Sequence, residues 1–552
     1  MSRSLPRLPC LDLAGYSASA ASADLTAALT VLFLAIPQGI AYATIAELPP
    51  AMGLYASAIP TLIGGLFRSS RHVVAGPSNA LSLLVGGALA VAIGDAHGVS
   101  PVVAATTLAV MVGVLQVLSG VLRLSALADF ISRPVVLGYI TGAALLIAVG
   151  QLHNLTGTTG GRGMLWPRVQ AWWAGLDAIS PVALAMAGAV AGGILALRRL
   201  KPRWPVAMVA LSLGTLVSWL ADLPALGLRL VGDISPVPSS LPPLTLPELS
   251  LVGALLPAAF AAMVLSLVES TAVGRAIATR TGQRLVAFWD FVGMGLANIS
   301  AGLTGGYPVS GSLSRSALNE RAGAVTRMGA VYGGLFMLLT PLAFAGVFNL
   351  IPVAALAGLL VVVAGDLVDR ARIIVIMRST WGDRLAFTLT CVGTWVLPLD
   401  QAIYLGVGSS LVKVLYNARR LDIDVAPTTS ACTIVSPRGA HFFGVEEVIR
   451  DGLVEVLADR EGAPVVLAWM ANARGMDVSV GTLWLEVAQQ LRAQGRVLCM
   501  AGLSEAEHAV LVRSGLAEQM GADRLRRQGP DEGAQPSPET IRWAEAQAST
   551  KP

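Results

Sequence analysis

The chain has 552 residues, of which 54% are hydrophobic and 13% charged, and its mean hydropathy is +0.68. This composition excludes a purely soluble protein, because a single aqueous core could not bury so much apolar surface. The net charge is only +4, and Lys and Arg stand at the ends of apolar runs rather than in one patch with interleaved aromatic residues. That distribution argues against a nucleic-acid partner, and we expect a lipid bilayer to surround much of the chain.

The N-terminal segment and the cysteines carry no sign of a cleaved leader or a metal site. Residues 1–23 hold no apolar run of signal-peptide length, so we interpret them as a short cytoplasmic segment. The four cysteines are Cys10, Cys391, Cys432 and Cys499. They lie far apart, with no Cys-x-x-Cys pair and no nearby histidine, so we expect free thiols and no bound metal.

Apolar runs long enough to cross a bilayer, about 20 residues for about 30 Å, recur from residue 24 to residue 420. They predict fourteen spans, near 25–46, 52–67, 73–93, 101–122, 126–151, 179–197, 204–221, 251–278, 285–303, 306–320, 326–346, 352–367, 384–398 and 400–418. The spans divide into two repeats of seven, at 24–221 and 251–420. The sequence therefore predicts an α-helical polytopic membrane protein.

Basic residues near the span ends indicate the orientation. They collect in alternate connections, at Arg68 and Arg71, Arg123 and Arg133, residues 198–203, residues 275–284, Arg321 and Arg327, residues 370–384, and Arg419 and Arg420. Lys and Arg accumulate in loops that face the cytoplasm. We therefore expect both termini in the cytoplasm and a location in the bacterial inner membrane.

Two segments interrupt the apolar pattern. The first reads SRHVVAGPSNALSLLVGG from Ser70, with a short extended run at 72–75, and the second reads GGYPVSGSLSRSALNE from Gly305, with an extended run at 307–309. Irregular backbone at membrane depth is tolerated only inside protein or beside a water-filled cavity. The segments are the third and tenth spans, which are equivalent positions in two inverted halves of seven. Paired interruptions of this kind indicate a transporter site.

The chemistry of these two segments suits an anion. Each half-helix would begin with free N–H groups and a partial positive charge. The polar side chains available there are Ser78, Asn79, Ser310, Ser312, Ser314 and Arg315. Hydroxyl, amide and guanidinium groups all donate hydrogen bonds to oxyanions. Two alternatives stay open, namely that the small residues only pack helix against helix and that Arg315 reaches to a lipid phosphate.

Three further polar residues lie within apolar spans. Glu269, in FAAMVLSLVESTAVGRAIA, is set most deeply, and such a carboxylate is costly unless it is paired, hydrated or protonated. We predict that Glu269 couples transport to protons or gates it, the alternative being a structural hydrogen-bonding role. Gln38 and Tyr42 lie four residues apart and share one helix face, where they line the site or merely pack.

The C-terminal part changes character after residue 420. Alternating strand and helix patterns predict a small layered α/β domain over 421–525. It contains neither a Walker loop nor a dinucleotide fingerprint, so we expect no cofactor. Residues 526–552 are rich in Gln, Pro, Glu and Ser and are predicted to be a disordered tail.

Several sequence motifs resemble those of a known family. They are IPQGIAYATIAELPPAMGLYAS from Ile36, SSRHVVAGPSNALSLL from Ser69, SRPVVLGYITG from Ser132, VESTAVGRAIA from Val268 and GGYPVSGSLSRSALNERAG from Gly305. Over nearly its whole length the chain resembles the sulfate permease (SulP) family of anion transporters, and the C-terminal part looks like a STAS domain. The resemblance implies a seven-plus-seven inverted repeat, a core and a gate domain, an elevator-like movement and a homodimer.

The resemblance also implies a site. In the family the substrate lies between the third and tenth spans beside the first, which corresponds here to Gln38, Tyr42, Ser78, Asn79, Ser314 and Arg315, and we add Ser312 from its place in the second interrupted segment. Sodium-coupled relatives carry a hydroxyl four residues after the acidic residue of the eighth span, whereas Glu269 is followed by Val273. This difference favours protons over sodium as the coupling ion. The partner of the STAS-like domain is left open.

These observations rank three functions, none of them enzymatic. The first is a coupled secondary transporter of sulfate, bicarbonate or a dicarboxylate, the second an uncoupled anion channel, and the third a membrane scaffold that acts through its tail domain. A nucleobase carrier is weaker, because Arg315 suits an oxyanion better than a neutral base.

Overall fold

The computed structural model describes residues 16–95, 99–123, 132–158, 160, 165–201, 204–418, 422–429, 431–441, 445–458, 463–529 and 532–549. The chain forms two compact units, residues 1–410 and residues 411–552. The first unit is built of helices and the second of a mixed sheet with helices.

The first repeat of the helical unit contains nine helices and a very short strand among the described residues. They are α1 (Ala18–Ile45), α2 (Pro50–Phe67), β1 (Ala75–Gly76), α3 (Asn79–Asp95), α4 (Pro101–Val121), α5 (Arg133–Gly150), α6 (Leu152–Thr156), α7 (Leu165–Ala174), α8 (Pro181–Leu200) and α9 (Val206–Leu220). Proline stands at the start of several of these helices, where its missing N–H costs nothing.

The second repeat follows a short helix, α10 (Val231–Ile234). It comprises α11 (Val252–Thr281), α12 (Ala287–Leu303), β2 (Ser310–Gly311), α13 (Leu313–Arg321), α14 (Met328–Asn349), α15 (Val353–Leu367), α16 (Arg370–Met377), α17 (Trp381–Val396) and α18 (Leu399–Ala418). All fourteen predicted spans overlap helices, namely α1–α5, α8, α9, α11–α15, α17 and α18, and residues 126–131 of the fifth predicted span lie outside the described residues. Seven helical stretches in the described part are long and apolar enough to cross a membrane by themselves. The fold is therefore polytopic, as predicted.

Close helix packing in this unit depends on glycine. A Cβ on Gly113 of α4 would lie 2.5 Å from the carbonyl oxygen of Gly295 on α12, and a Cβ on Gly295 would lie 2.7 Å from the carbonyl oxygen of Gly113. Real Cβ atoms do not approach backbone so closely. Small residues allow membrane helices to approach at backbone distance, where dispersion contacts stabilise the pair in the absence of a hydrophobic driving force.

The two interrupted segments meet each other. β1 pairs antiparallel with β2, with Ala75 opposite Gly311 and Gly76 opposite Ser310. We predicted extended runs at 72–75 and 307–309, and the paired residues lie slightly later in each segment. The difference arises because the pairing partner, rather than the local β propensity, decides where the ladder forms.

Polar side chains satisfy the extended backbone before β2. Asn298 on α12 accepts a hydrogen bond from the backbone N of Val309 at 2.7 Å and donates to its carbonyl oxygen at 3.0 Å. Asn298 also donates to Gln116 on α4 at 2.8 Å, and Ser266 on α11 donates to the same Val309 carbonyl at 2.8 Å. Protein therefore replaces the water that would otherwise be needed at this depth.

The second unit contains a sheet of six strands among the described residues. The strands are β3 (Asp422–Thr429), β4 (Cys432–Ala440), β5 (Val465–Trp469), β6 (Ala473–Arg474), β7 (Val497–Leu503) and β8 (Leu525–Arg527). Their order is β3-β4-β5-β7-β8, with β6 beside β4. β3 is antiparallel to β4, and the other pairs are parallel.

Helices cover both faces of this sheet. The helices are α19 (Glu446–Gly452), α20 (Val454–Ala458), α21 (Val478–Ala493), α22 (Glu505–Arg513), α23 (Leu516–Met520) and α24 (Pro538–Ala546). One face packs against α19–α23 through residues such as Val466 and Met500. The other face, with Trp469 and Cys499, packs against Ala544 of α24.

The prediction of a disordered tail over 526–552 is wrong for the described residues 526–529, where β8 extends to Arg527, and for residues 532–549. α24 is held there because Ala544 is fully buried and the flanking Ile541 and Trp543 also contact the sheet. Ser537 caps the helix by accepting from the backbone N of Thr540 at 3.2 Å. Composition did not indicate this helix because few of its residues are apolar, and three of them, Ile541, Trp543 and Ala544, pack against the sheet.

Candidate functional site

The half-helices α3 and α13 begin next to the paired strands β1 and β2. A serine precedes the first turn of each half-helix in an equivalent way. The hydroxyl of Ser78 accepts from the backbone N of Leu81 at 3.3 Å, and the hydroxyl of Ser312 accepts from the backbone N of Arg315 at 3.5 Å. The pairing of β1 with β2 therefore brings two helix N-termini, each with its partial positive charge, to one place.

Glu269 of α11 joins the two segments. Its Oε2 atom accepts a hydrogen bond from Ser78 Oγ at 2.8 Å and another from Ser310 Oγ at 2.5 Å. Ser78 belongs to the first interrupted segment and Ser310 to the second. The next residue of α11, Ser270, accepts from the backbone N of Gly311 at 2.7 Å. One carboxylate oxygen thus contacts both broken segments.

Arg315 of α13 lies entirely within the protein, with 0% of its surface exposed. Its guanidinium donates to the carbonyl oxygen of Pro77 and, at 3.4 Å, to Ser57 Oγ on α2. Arg315 Nε has no hydrogen-bond partner among the described residues. The side chain therefore does not extend to the lipid headgroups but crosses to the first interrupted segment.

Gly76 makes room for this guanidinium. Its φ is +155°, and a Cβ at this position would lie 2.4 Å from Arg315 Nη1 and 2.8 Å from Arg315 Cζ. Any larger residue would displace the charged group from the Pro77 carbonyl. The Gly-Pro pair that signalled an interruption in the sequence is therefore also the surface against which Arg315 rests.

Gln38 of α1 reaches α13. Its Nε2 atom donates to Ser314 Oγ at 3.3 Å, and Ser314 Oγ lies 3.5 Å from Ser312 Oγ. Gln38 Oε1 is buried without a partner in the described part of the chain. The two ends of a glutamine amide are assigned from their hydrogen bonds. With the amide reversed, Ser314 would donate to Oε1, and the NH₂ group would be available to an anion.

The structure thus connects seven of the nine residues singled out from the sequence into two hydrogen-bonded groups. Ser78 and Ser310 bond to Glu269, while Gln38, Ser312, Ser314 and Arg315 bond along α13. The other two residues, Tyr42 and Asn79, make no described hydrogen bond to the residues of these two groups. Tyr42 is buried on α1, and Asn79 uses its Oδ1 atom to accept from the backbone N of Ala80 at 2.9 Å.

Sequence reasoning missed side chains that support the site, among them Ser57 and Asn298. Ser57 bonds to Arg315, and nothing in the sequence of α2 marks it. Asn298 holds the backbone of Val309, and the argument that selected Glu269, a polar group in an apolar span, would have found it. In the described part of the chain, no three His, Cys, Asp or Glu side chains cluster in a way that would hold a metal ion.

An inverted repeat whose two broken helices meet at a buried polar centre defines a membrane transporter. The comparisons with known proteins agree. The model of the family described as "Sulfate permease family" matches residues 22–390 of this chain. The chain is 30% identical to the "Probable sulfate transporter" of Mycobacterium tuberculosis (strain CDC 1551 / Oshkosh) over 91% of this chain and 93% of that protein. It is 31% identical to human "Solute carrier family 26 member 6" over 74% of this chain and 56% of that protein.

Solved structures share the fold. Murine Slc26a9, described as an anion transporter in the inward-facing state, superposes with a TM-score of 0.87, at 18% identity, over 99% of this chain and 96% of that chain. The transmembrane domain of the cyanobacterial bicarbonate transporter BicA gives a TM-score of 0.62 at 21% identity, over 71% of this chain and 98% of that one. The chain belongs to the sulfate permease family and is a membrane anion transporter. Its C-terminal sheet is consistent with a STAS domain.

Proposed function

We propose that the chain is a secondary active transporter that couples the movement of a small oxyanion, with sulfate first among the candidates, to protons. The substrate would bind between the N-termini of α3 and α13. Sulfate leads because several relatives, including those of Mycobacterium tuberculosis and Arabidopsis thaliana, carry the name of sulfate transporters. Bicarbonate and dicarboxylates remain the other candidates, since the same donor groups suit them.

The position of Glu269 carries the proposal of proton coupling. An ionised carboxylate accepts hydrogen bonds only, and Glu269 accepts from Ser78 and Ser310 through one oxygen. Protonation removes a negative charge from the place where an anion would approach two helix N-termini. It also turns the carboxyl group into a donor. Anion binding and proton binding would therefore favour each other, which is the thermodynamic requirement for their joint transport.

Arg315 would supply the fixed positive charge. Its guanidinium is already held by Pro77 and Ser57, so little side-chain freedom would be lost on binding. Interactions between charges are stronger away from bulk water. Ser312, Ser314 and Gln38 would add neutral donors on the side of α13 that faces α1.

The same contacts support a moving core. β1, β2 and Glu269 tie α3 and α13 together, so the two half-helices would move as one body and carry the substrate with them. This arrangement fits the elevator-like movement implied by the family resemblance. A homodimer, cytoplasmic termini and a bacterial inner membrane belong to the same proposal.

Transport into proteoliposomes tests the proposal. We would measure uptake of labelled sulfate, bicarbonate and fumarate in parallel, each with and without an inward proton gradient or an inward sodium gradient. We expect a proton gradient, but not a sodium gradient, to stimulate uptake of one anion. We expect Glu269→Gln to abolish that stimulation because an amide does not titrate in this pH range.

A matched control is Glu248→Gln, which changes a carboxylate that bonds to Ser250 immediately before α11. This variant should retain the stimulation. Stimulation that persists in Glu269→Gln would remove proton coupling from this residue. Electrogenic anion flux without any gradient stimulation in the unmodified protein would favour the uncoupled channel instead, and the absence of any flux would favour a scaffold that acts through the tail domain.

A further inference from the structure

A long apolar groove runs between α8 and α9, on elements that contribute no residue to the candidate anion site. Its volume is about 580 Å³. One face of α8 lines it, from Pro181 to Leu197, together with Leu213 and Val217 of α9. Residues 181 and 197 are sixteen positions apart, which corresponds to about 24 Å along a helix axis.

The dimensions and chemistry of the groove match a lipid chain. The hydrocarbon core of a bilayer is about 30 Å thick, so a single leaflet spans about 15 Å. A groove of about 24 Å is long enough for an acyl chain that extends through one leaflet. Its lining residues are apolar, so the groove provides no hydrogen-bonding side chain for a polar ligand. A hydrocarbon chain makes no hydrogen bonds, so it would lose none when it enters this groove.

Glycine opens the groove. A Cβ on Gly193 of α8, which lines the groove, would meet no atom within 4 Å. By contrast, Ile194 is fully buried against the rest of the unit. The groove is therefore an open space in front of a small residue and not a gap left between two interdigitated side chains.

Basic residues follow one end of the groove. Leu197 is the last residue of α8 that lines the groove, and Arg198, Arg199 and Lys201 follow it directly. Arg198 pairs with Asp366 of α15 at 2.7 Å, whereas Arg199 and Lys201 are exposed. Trp204, which is 54% exposed, comes just after them. Basic pockets between membrane helices bind anionic headgroups, and tryptophan favours the headgroup level.

We propose that the groove between α8 and α9 binds one acyl chain of an anionic phospholipid, whose headgroup lies against Arg199 and Lys201. The bound lipid would fill the space between two helices that lie outside the α3–α13 core. This lipid site is independent of the proposed anion site, because the two share no residue.

Native mass spectrometry of the full-length protein in a mild detergent tests the proposal. We expect the unmodified protein to retain phospholipid and, after delipidation, to rebind phosphatidylglycerol in preference to phosphatidylcholine. Gly193→Leu places a side chain in the groove and should abolish rebinding. Gly192→Leu is the matched control, because a Cβ on the exposed Gly192 also meets no atom within 4 Å but Gly192 does not line the groove. This control should rebind lipid normally.

A second variant tests the headgroup without altering the groove. Replacing both Arg199 and Lys201 with serine should weaken phosphatidylglycerol binding about 30-fold and leave phosphatidylcholine binding unchanged. Rebinding by Gly193→Leu equal to that of Gly192→Leu would overturn the site. Equal affinity for the two lipids would overturn the headgroup assignment. A change of oligomeric state in Gly193→Leu, with lipid binding intact, would show that a second copy of the chain occupies the groove instead.

Discussion

Asn298→Ala is the perturbation whose effect follows most directly from the structure. Asn298 accepts from Val309 N at 2.7 Å and donates to Gln116 Oε1 at 2.8 Å and to Val309 O at 3.0 Å. Alanine removes these three bonds and a fourth, from Asn298 Nδ2 to the carbonyl oxygen of Met294 at 3.2 Å. The Val309 carbonyl retains Ser266 as a donor, but the Val309 N–H loses the partner described for it. An unsatisfied N–H would therefore be left inside the membrane domain.

The magnitude can be worked out from these contacts. A buried polar group without a partner costs about 1–3 kcal/mol. The variant leaves two such groups, Val309 N–H and Gln116 Oε1, so their combined cost to the free energy of unfolding is at most about 2–6 kcal/mol. Hydrogen bonds between side chains of membrane helices average only about 0.6 kcal/mol, because the separated helices find other partners. Val309 is fully buried on an extended segment with no such alternative, so we expect the effect to lie well above that average.

Thermal unfolding of the purified protein in detergent measures this effect. We expect the apparent Tm of Asn298→Ala to fall by several degrees and anion uptake to fall with it, because Val309 directly precedes β2. Ser300→Ala is the control, since Ser300 lies on the same helix but its hydroxyl donates to the carbonyl of Ala297 on that helix and not to the extended segment. If Asn298→Ala and Ser300→Ala lowered the Tm equally, the reasoning about the extended segment would be wrong.

Three other outcomes are expected. Gly76→Ala should weaken anion binding about 10-fold to 100-fold, because its Cβ would push Arg315 from the Pro77 carbonyl and a hydrogen bond from a charged group contributes about 1.5–3 kcal/mol. Isothermal titration calorimetry measures the affinity for sulfate. Gly188→Ala is the control, because a Cβ on Gly188 would meet no atom within 4 Å, and an unchanged affinity of Gly76→Ala would exclude Arg315 from the site. In the tail domain, burial raises the pKa of Cys499 to about 12 and that of Cys432 to about 11, so both remain protonated at pH 8. Peptide mass spectrometry should find them alkylated by maleimide only after unfolding, and equally rapid labelling of the folded protein would contradict this. Ala544→Glu places a charge on the fully buried position of α24 and should destabilise the tail domain by about 3–5 kcal/mol. Limited proteolysis should then cleave it sooner than the exposed control Ala548→Glu, and identical cleavage would refute the packing of α24.

The sequence was sufficient to predict the longer apolar helices, because each depends on local composition alone, and seven helical stretches in the described residues are long and apolar enough to cross a membrane. The Gly-Pro and Ser-Gly-Ser interruptions located both broken segments. The inverted relation of the two repeats followed from the number of spans in each, because after an odd number of spans the second repeat begins on the opposite side of the membrane from the first. The same local reasoning failed for α24, where composition indicated disorder but three apolar residues find a partner across the sheet.

The contacts within the site could be predicted only in part. Sequence reasoning selected Glu269 because a carboxylate in an apolar span needs a partner, but it did not identify Ser78 and Ser310 as the partners. It also did not predict that Arg315 crosses to Pro77, 238 residues earlier in the chain. Such pairings depend on how two distant segments are brought together by pairing of β1 with β2. A local sequence pattern cannot predict which distant segments will come into contact.

The pairing of β1 with β2 also has a consequence for how the protein is made. Ala75 and Gly311 are separated by 236 residues (311 − 75). A ribosome that adds about 5–20 residues per second needs about 12–47 s to synthesise that interval. During this time the first broken helix has been made, but its strand partner does not yet exist. The proposed anion site would therefore be assembled late in biogenesis, because the first repeat alone lacks the residues of the second broken segment.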